Sequence, residues 1–244
     1  MAIDYASHIE MAGSTKSIVV LTGAGISAES GLRTFRDNNG LWEEHRVQDV
    51  ATPEGFARNP ALVDRFYNER RAQLHTAQSN AAHRALAELE QRWSGSFLLV
   101  TQNVDDLHER AGSKKLLHMH GELLRARCLA TDAVHAWHEP IDRSTPCPCC
   151  RTAGNLRPHI VWFGEMPLHL DEISAALADC TLFISVGTSG EVYPAAGFVQ
   201  MTSRDCRRIE VNPAGTSISH AFGEHRTGPA GVQLPKLVAE LLAG

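Results

Sequence analysis

The stretch Val19-Val20-Leu21-Thr22-Gly23-Ala24-Gly25-Ile26-Ser27-Ala28-Glu29-Ser30-Gly31 constrains this chain more than any other. A β-branched apolar run stops at Thr22 and gives way to Gly-Ala-Gly, then hydroxyls, then another glycine. The pattern predicts a buried strand feeding a glycine turn and the start of a helix. Glycines at these positions let backbone approach a ligand with no Cβ in the way. Helix-start N–H groups would then face a phosphate. The spacing departs from the strict G-x-G-x-x-G fingerprint, so a strand–helix turn with no ligand stays open on this stretch alone.

At 244 residues the chain is long enough for one large domain, or for a large one carrying a small one. A formal charge of −5 and the lack of a basic block argue against a nucleic-acid partner. No apolar run approaches the roughly 20 residues of a membrane span. Met1-Ala2-Ile3-Asp4-Tyr5 has neither the basic nor the apolar region of a secretory signal. Cys128, Cys147, Cys149 and Cys150 crowd one region, while Cys180 and Cys206 stand alone near apolar runs. Such crowding predicts a metal module in a reducing cytoplasm rather than a disulfide framework.

Strands are predicted at about 17–22, 96–101, 181–186 and 208–212. Helical pattern covers a lead-in over 1–16, then 52–92 with a start at Asn59-Pro60, 167–179 and 231–243. Three strands end in small or polar residues: Gly23-Ala24-Gly25, Gly187-Thr188-Ser189 and Asn212-Pro213. In a parallel sheet those ends share one edge, where open α/β sheets bind ligands, and a dinucleotide fits that convergence. Gln102-Asn103-Val104-Asp105-Asp106 also follows a strand directly, and either Asp105 or Asp106 can cap the helix running to about Ala111. Arg33 and Arg36, in the loop that follows the glycine turn, can neutralise a pyrophosphate.

Tyr67 and Arg70 are three residues apart and share a helix face. They form either a carboxylate clamp or a half-buried tyrosine beside a surface arginine. His118 and His120 point opposite ways if their segment is extended, so that one ring enters a site while the other packs elsewhere. Residues 124–158 break the α/β rhythm. Cys147 and Cys150 have C-x-x-C spacing, and a second pair would need cysteine at 131, where Thr131 stands. Cys149, Asp132 and His135 remain candidates for a fourth ligand, beside a metal-free lobe held by packing.

Taken in order, several motifs together resemble one family. They are Gly23-Ala24-Gly25-Ile26-Ser27 with Gly31-Leu32-Arg33-Thr34-Phe35-Arg36, then Gln102-Asn103-Val104-Asp105, His120-Gly121, Phe163-Gly164-Glu165, Gly187-Thr188-Ser189 and Val211-Asn212. The chain resembles the sirtuins of the bacterial kind, NAD-dependent protein lysine deacylases, over about residues 17–230. The resemblance implies an α/β fold: a Rossmann-like parallel sheet flanked by helices, with a small inserted zinc-ribbon-like lobe. The large lobe would take approximately 1–50, 80–123 and 159–244. The small lobe would take 51–79 (helical) and 124–158 (cysteine-containing).

The family's NAD would lie between the lobes. The resemblance assigns it Gly23, Ala24, Gly25, Ser27, Thr34, Phe35, Arg36 and Trp42 along the glycine turn and following loop. Gln102, Asn103, Val104 and Asp105 would hold the nicotinamide end. Gly187, Thr188 and Ser189 would meet phosphate and ribose, Asn212 the adenosine ribose, and Ala230 would approach adenine. A substrate peptide would add as a strand near Phe163, Gly164 and Val192. His120 matches the catalytic base that helps deprotonate a ribose hydroxyl after nicotinamide leaves. The products would be nicotinamide, free lysine and 2′-O-acyl-ADP-ribose.

Tyr67 and Arg70 match the Tyr-x-x-Arg pair of sirtuins that remove succinyl and malonyl groups, with Ala51 leaving room beside them. Cys128, Cys147 and Cys150 match three of the family's four zinc ligands. Acylated lysines on other proteins are the expected partners of a cytoplasmic monomer, with neither nucleic acid nor membrane involved. Two rivals share the cofactor site: a protein ADP-ribosyltransferase, and an NAD- or ADP-ribose-binding module without turnover.

Overall fold

The apolar runs at the centre of the chain pair into one six-stranded sheet. The structure is a computed structural model, and it describes residues 16–32, 41–42 and 45–243. Residues 1–15 of the expected lead-in helix over 1–16 and the loop residues Arg33, Thr34, Phe35 and Arg36 lie outside the described residues, as does the side chain of Trp42.

In chain order the elements are β1 (Ser17–Thr22), β2 (Leu41–Trp42), β3 (His45–Arg46), α1 (Val47–Val50), α2 (Pro53–Arg58), α3 (Pro60–Thr76) and α4 (Ala81–Arg92). Then come β4 (Ser96–Thr101), α5 (Leu107–Ala111), β5 (Leu116–His118), β6 (Gly121–Cys128), β7 (Val134–Ala136) and β8 (Leu156–Ile160). The chain continues through α6 (Leu170–Asp179), β9 (Leu182–Val186), α7 (Phe198–Met201), β10 (Arg207–Asn212), β11 (Glu224–Thr227) and α8 (Ala230–Ala243). The large sheet runs β11-β10-β9-β1-β4-β5, and every pairing in it is parallel. β11 and the edge strand β5 were not anticipated, because β11 (Glu-His-Arg-Thr) carries no apolar residue and β5 is only three residues long.

Alternation along β1 explains why the sheet is covered on both faces. Ile18 and Val20 pack with Leu86 and Leu89 of α4 and Leu234 and Leu237 of α8. Val19 and Leu21 pack on the other face with Ile173 and Leu177 of α6, Phe183 and Phe198. α3 begins where Asn59 accepts the Leu62 N–H at 3.1 Å and Pro60 takes a position that needs no donor. Its buried side, including Phe66, Tyr67 and Leu74, packs with Leu123, Ile160 and Trp162. A three-stranded antiparallel sheet, β7-β6-β8, projects beyond it. The approximate boundaries expected at 123/124 and 158/159 fall inside β6 and β8.

Register aligns the strand exits. Thr22 sits level with Thr101 and Val186, and Val186 with Val211. The Gly23 N–H donates to Val186 O at 2.9 Å, Gln102 N–H to Thr22 O at 2.9 Å and Gly187 N–H to Val211 O at 3.0 Å. One correction concerns the turn after β1. It enters two short 3₁₀ turns, Ala24–Ile26 and Ala28–Ser30, instead of an α-helix. Its glycines are demanded by packing of backbone on backbone: a Cβ on Gly25 would lie 2.6 Å from Gly187 Cα, and one on Gly23 2.8 Å from Gly187 O. Gly25→Ala should therefore cost about 1–3 kcal/mol of unfolding free energy, the usual scale for overpacking. Urea denaturation followed by circular dichroism checks this, with Gly223→Ala as the comparison, since its Cβ would meet nothing within 4 Å and its φ lies outside the left-handed region.

Candidate active site

A cavity of about 310 Å³ opens at the carboxyl edge of the large sheet. Its walls include Gly23, Ala24, Gly25 and Ser27 from the first turn, Gln102, Asn103, Val104 and Asp105 after β4, and Gly187, Thr188 and Ser189 after β9. His120 enters from the turn between β5 and β6. Ala51, Tyr67 and Arg70 line it from the helical insertion, and Phe163, Gly164 and Val192 from the segments after β8 and β9. So the predicted residues converge, with two exceptions among those described. Asn212 and Ala230 are buried outside the lining, and Asn212 Nδ2 donates to Thr188 O at 2.8 Å. Gln73, Leu74, Val161, Trp162 and Pro167 also line the cavity and went unnoticed in the sequence, and Leu32, quoted only as part of a motif, lines it too. Among the unnoticed residues Trp162 carried a signal, as an aromatic immediately before Phe163-Gly164-Glu165.

Buried polar groups in and behind this lining are tied together by hydrogen bonds. Asn103 Nδ2 donates to Ser27 Oγ at 3.1 Å, and Ser27 Oγ donates to Asp105 Oδ2 at 3.0 Å. Asp105 Oδ1 also accepts the Leu107 N–H at 3.2 Å, so Asp105 rather than Asp106 serves the start of α5 by side chain. Burial pushes the Asp105 carboxyl up to about 6, against these hydrogen bonds. His83 Nδ1 accepts the Asn80 N–H at 3.3 Å, which puts its proton on Nε2, 3.5 Å from Ser27 Oγ. Burial lowers His83 to about 4, so the ring is neutral. The Thr22 hydroxyl donates to Thr101 Oγ1 at 2.9 Å, which in turn accepts the Asn103 N–H at 3.0 Å.

His120 and His118 face different ways, as their spacing predicts, although a turn rather than a continuous strand separates them. His120 Nδ1 lies 3.2 Å from Gln102 O and donates to it, since a carbonyl only accepts. That fixes the tautomer and leaves Nε2 as the acceptor. Burial lowers the His120 pKa below the ordinary imidazole value, partly offset by the bond to Gln102.

At the helical side of the cavity Tyr67 is fully buried, and its hydroxyl accepts the Trp162 indole N–H at 2.9 Å. Burial raises the Tyr67 pKa far above neutrality, so the phenol stays protonated. The Arg70 guanidinium lies 3.9 Å from the Phe66 ring centroid and donates to Phe66 O. Its ion pair with Glu69 spans 3.3 Å, but Glu69 is 62 % exposed, so water screens that partner. The Phe163-Gly164-Glu165 turn is braced from below. Arg157 donates to both Glu165 oxygens, at 2.6 and 2.9 Å, and stacks 3.4 Å over the Trp162 ring.

Away from the cavity, the sulfurs of Cys128, Cys147, Cys149 and Cys150 lie within 4.8 Å of one another. A zinc ion bound tetrahedrally at roughly 2.3 Å holds its sulfurs about 3.8 Å apart. Cys128 and Cys150 are separated by 3.8 Å and Cys147 and Cys149 by 3.3 Å, so the donor set fits that ion. Cys149 occupies the fourth corner, and the Thr131 hydroxyl lies 3.3 Å from its sulfur. Asp132 and His135 stay outside the group.

A parallel sheet with a ligand-sized crevice at its carboxyl edge, an inserted cysteine lobe and a tautomer-fixed histidine define a dinucleotide-dependent enzyme class. The Sir2 family profile matches residues 23–194. An NAD-dependent protein deacylase of Bdellovibrio bacteriovorus is 59 % identical over 229 residues, covering 93 % of this chain and 97 % of that protein. Among solved structures, a Sir2 homolog–NAD complex superposes with a TM-score of 0.85 at 38 % identity, covering 93 % of this chain and 89 % of that one. A Sir2 bound to acetylated peptide gives 0.78 at 29 % identity, with 92 % of each chain covered. The chain belongs to the Sir2 family.

The cysteine geometry makes a specific prediction. After dialysis against a mild chelator, wild-type protein should retain about one zinc per chain by atomic emission, as a closed four-thiolate site does. Cys149→Ser should retain clearly less, and Thr131→Ala should match wild type.

Proposed function

We propose that this cavity removes acetyl, succinyl and malonyl groups from protein lysines at the expense of NAD, with the roles divided among its walls as follows. The observation that carries the reading is that one cavity joins the glycine turn, Asn103 and Asp105, His120, and the Tyr67–Arg70 pair. NAD supplies an electrophilic ribose carbon and a leaving nicotinamide. Gly23 to Ser27 and Gly187 to Ser189 hold its phosphates and riboses, while Gln102, Asn103, Val104 and Asp105 surround the nicotinamide end. Two backbone segments, the 23–25 turn and Gly187, meet there with no Cβ between them, which brings both turns to one edge of the cavity. Asn212 and Ala230 serve the adenosine end, beyond the cavity. The crevice divides a large lobe (1–50, 80–123, 159–244) from a small one (51–79, 124–158).

His120 is the general base. Its Nδ1–H is committed to Gln102, so Nε2 takes the proton of a ribose hydroxyl. Because burial lowers its pKa, the ring is neutral and competent at neutral pH. Protonation, and loss of rate, should set in only below about pH 6.5. The peptide lies as an added strand along Phe163, Gly164 and Val192. Tyr67 and Arg70 receive the carboxylate of an acidic acyl group, with Ala51 leaving the space for it. A screened, exposed Glu69 competes weakly with such a carboxylate. The six free cysteines suit a reducing cytoplasm, in which the chain works as a monomer. No helix among the described residues is long and apolar enough to cross a membrane.

The test is nicotinamide release from NAD with matched acetyl-, succinyl- and unmodified-lysine peptides. Release should require acylation. Release without acyl dependence would favour ADP-ribosyl transfer, and none at all would favour a binding module. His120→Ala should keep NAD binding and lose at least about a hundredfold in kcat, the usual scale for a general base. Arg70→Met should cut desuccinylation roughly tenfold to a hundredfold, as loss of a charge-assisted contact does, and leave deacetylation within about threefold. Equal losses on both peptides would make Arg70 structural.

A further inference from the structure

His118, two residues before the proposed base, is 8 % exposed and lies outside the cavity lining. Its Nδ1 is 3.0 Å from the Asn103 carbonyl oxygen, and its Nε2 is 2.7 Å from Oε1 of Glu109 on α5. A carbonyl only accepts, and so does an ionised carboxylate. A neutral imidazole carries one N–H, so it would set a lone pair against one of these oxygens. The imidazolium alone donates to both.

The charges around the ring agree. A ring nitrogen of His118 and one carboxylate oxygen each of Glu109 and of Glu122 on β6 all lie within 4.8 Å of one another. Asp105, in the segment after β4, is close enough to feel the His118 charge. His108 of α5 also faces it, but burial holds that ring neutral. Burial of His118 itself opposes its charge, yet the Glu109 hydrogen bond and charge outweigh it and raise its pKa.

Asn103 is where this matters. Its N–H goes to Thr101 and its side chain to Ser27, and its carbonyl receives the His118 ring. Of these three bonds, the one from His118 can be lost by titration. A ring left with one proton keeps the stronger, charge-assisted bond to Glu109 and turns a lone pair on the carbonyl. We propose that His118, kept as an imidazolium by Glu109, is a positioning residue that pins the Asn103 carbonyl and so fixes the Gln102–Asp105 wall of the cavity. The identity of the ligand at that wall, the nicotinamide end of NAD, rests on the deacylase reading above.

The experiment combines a histidine NMR titration of the full-length protein with pH profiles of kcat/KM for NAD. His118→Gln assigns the ring signal. The wild-type ring should titrate above pH 6.5, and the Asn103 side-chain amide should shift with the same midpoint. Glu109→Gln should lower both midpoints by about 1–3 pH units, the usual effect of removing a contacting charge. The alkaline limb of kcat/KM for NAD should move down by the same amount. His118→Gln, whose amide can still donate to Asn103 O, should lose that limb while retaining activity at neutral pH. A ring titrating at or below pH 6.5, an Asn103 amide that ignores it, or a limb unmoved by Glu109→Gln would each overturn the proposal. The NMR readouts need no turnover. Absence of deacylation would therefore sink the functional reading alone, while the ring and amide titrations still decide the role of His118.

Discussion

The site depends on a contact between two pieces of backbone. The Gly23 and Gly25 N–H groups donate to the Val186 and Gly187 carbonyls at 2.9 Å each, which ties the exit of β1 to that of β9. The approach is so close that a Cβ at 23, 25 or 187 would overlap the opposing chain. Because β1 is flanked by β4 as well as β9, this knot also sets the position of Gln102 and the segment after it. The parallel register then delivers four strand ends to one edge, as open α/β sheets do where they bind nucleotides.

Chemistry is placed on this edge by side chains that bury their polarity in pairs. Ser27 stands between Asn103 and Asp105, and Thr101 receives the Asn103 N–H, so the wall after β4 is held from two sides. Unpaired, such buried groups would each cost about 1–3 kcal/mol; paired, they make the wall rigid. The cost is visible in Asp105, whose carboxyl is pushed up to about 6 by burial despite its donors. His120 owes its tautomer to the Gln102 carbonyl and its lowered pKa to burial, which that bond partly offsets.

The insertions contribute the other half of the cavity. α3 lies against β6 and β8 through Tyr67, Leu123, Ile160 and Trp162, and this packing carries Tyr67 and Arg70 to the same space as His120. The Trp162 indole binds the Tyr67 hydroxyl, while Arg157 stacks on Trp162 and grips Glu165. The Tyr67 side of the cavity and the Phe163-Gly164-Glu165 turn are thus braced by one set of contacts. The cysteine lobe has its own small core around Ala126, Ile141 and Leu156, and its sulfurs meet away from the cavity.

The linear sequence determined the elements and their order. Periodicity located β1, β4, β9 and β10, the Asn59-Pro60 start of α3 and the final helix, because strand alternation and helix capping are local properties. Motif order identified the family and nominated His120, Asn103, Asp105 and the Tyr67–Arg70 pair. Three things needed the tertiary structure, because each is a relation between residues far apart in the chain. Gly25 is required by Gly187, 162 positions later, and not by a helix start. Cys149 supplies the fourth sulfur where a neat C-x-x-C spacing at 128 and 131 fails, since only folding shows which sulfur reaches the group. His118 carries a charge because folding sets Glu109 and the Asn103 carbonyl on its two nitrogens, and no local pattern encodes which partners a buried imidazole will meet.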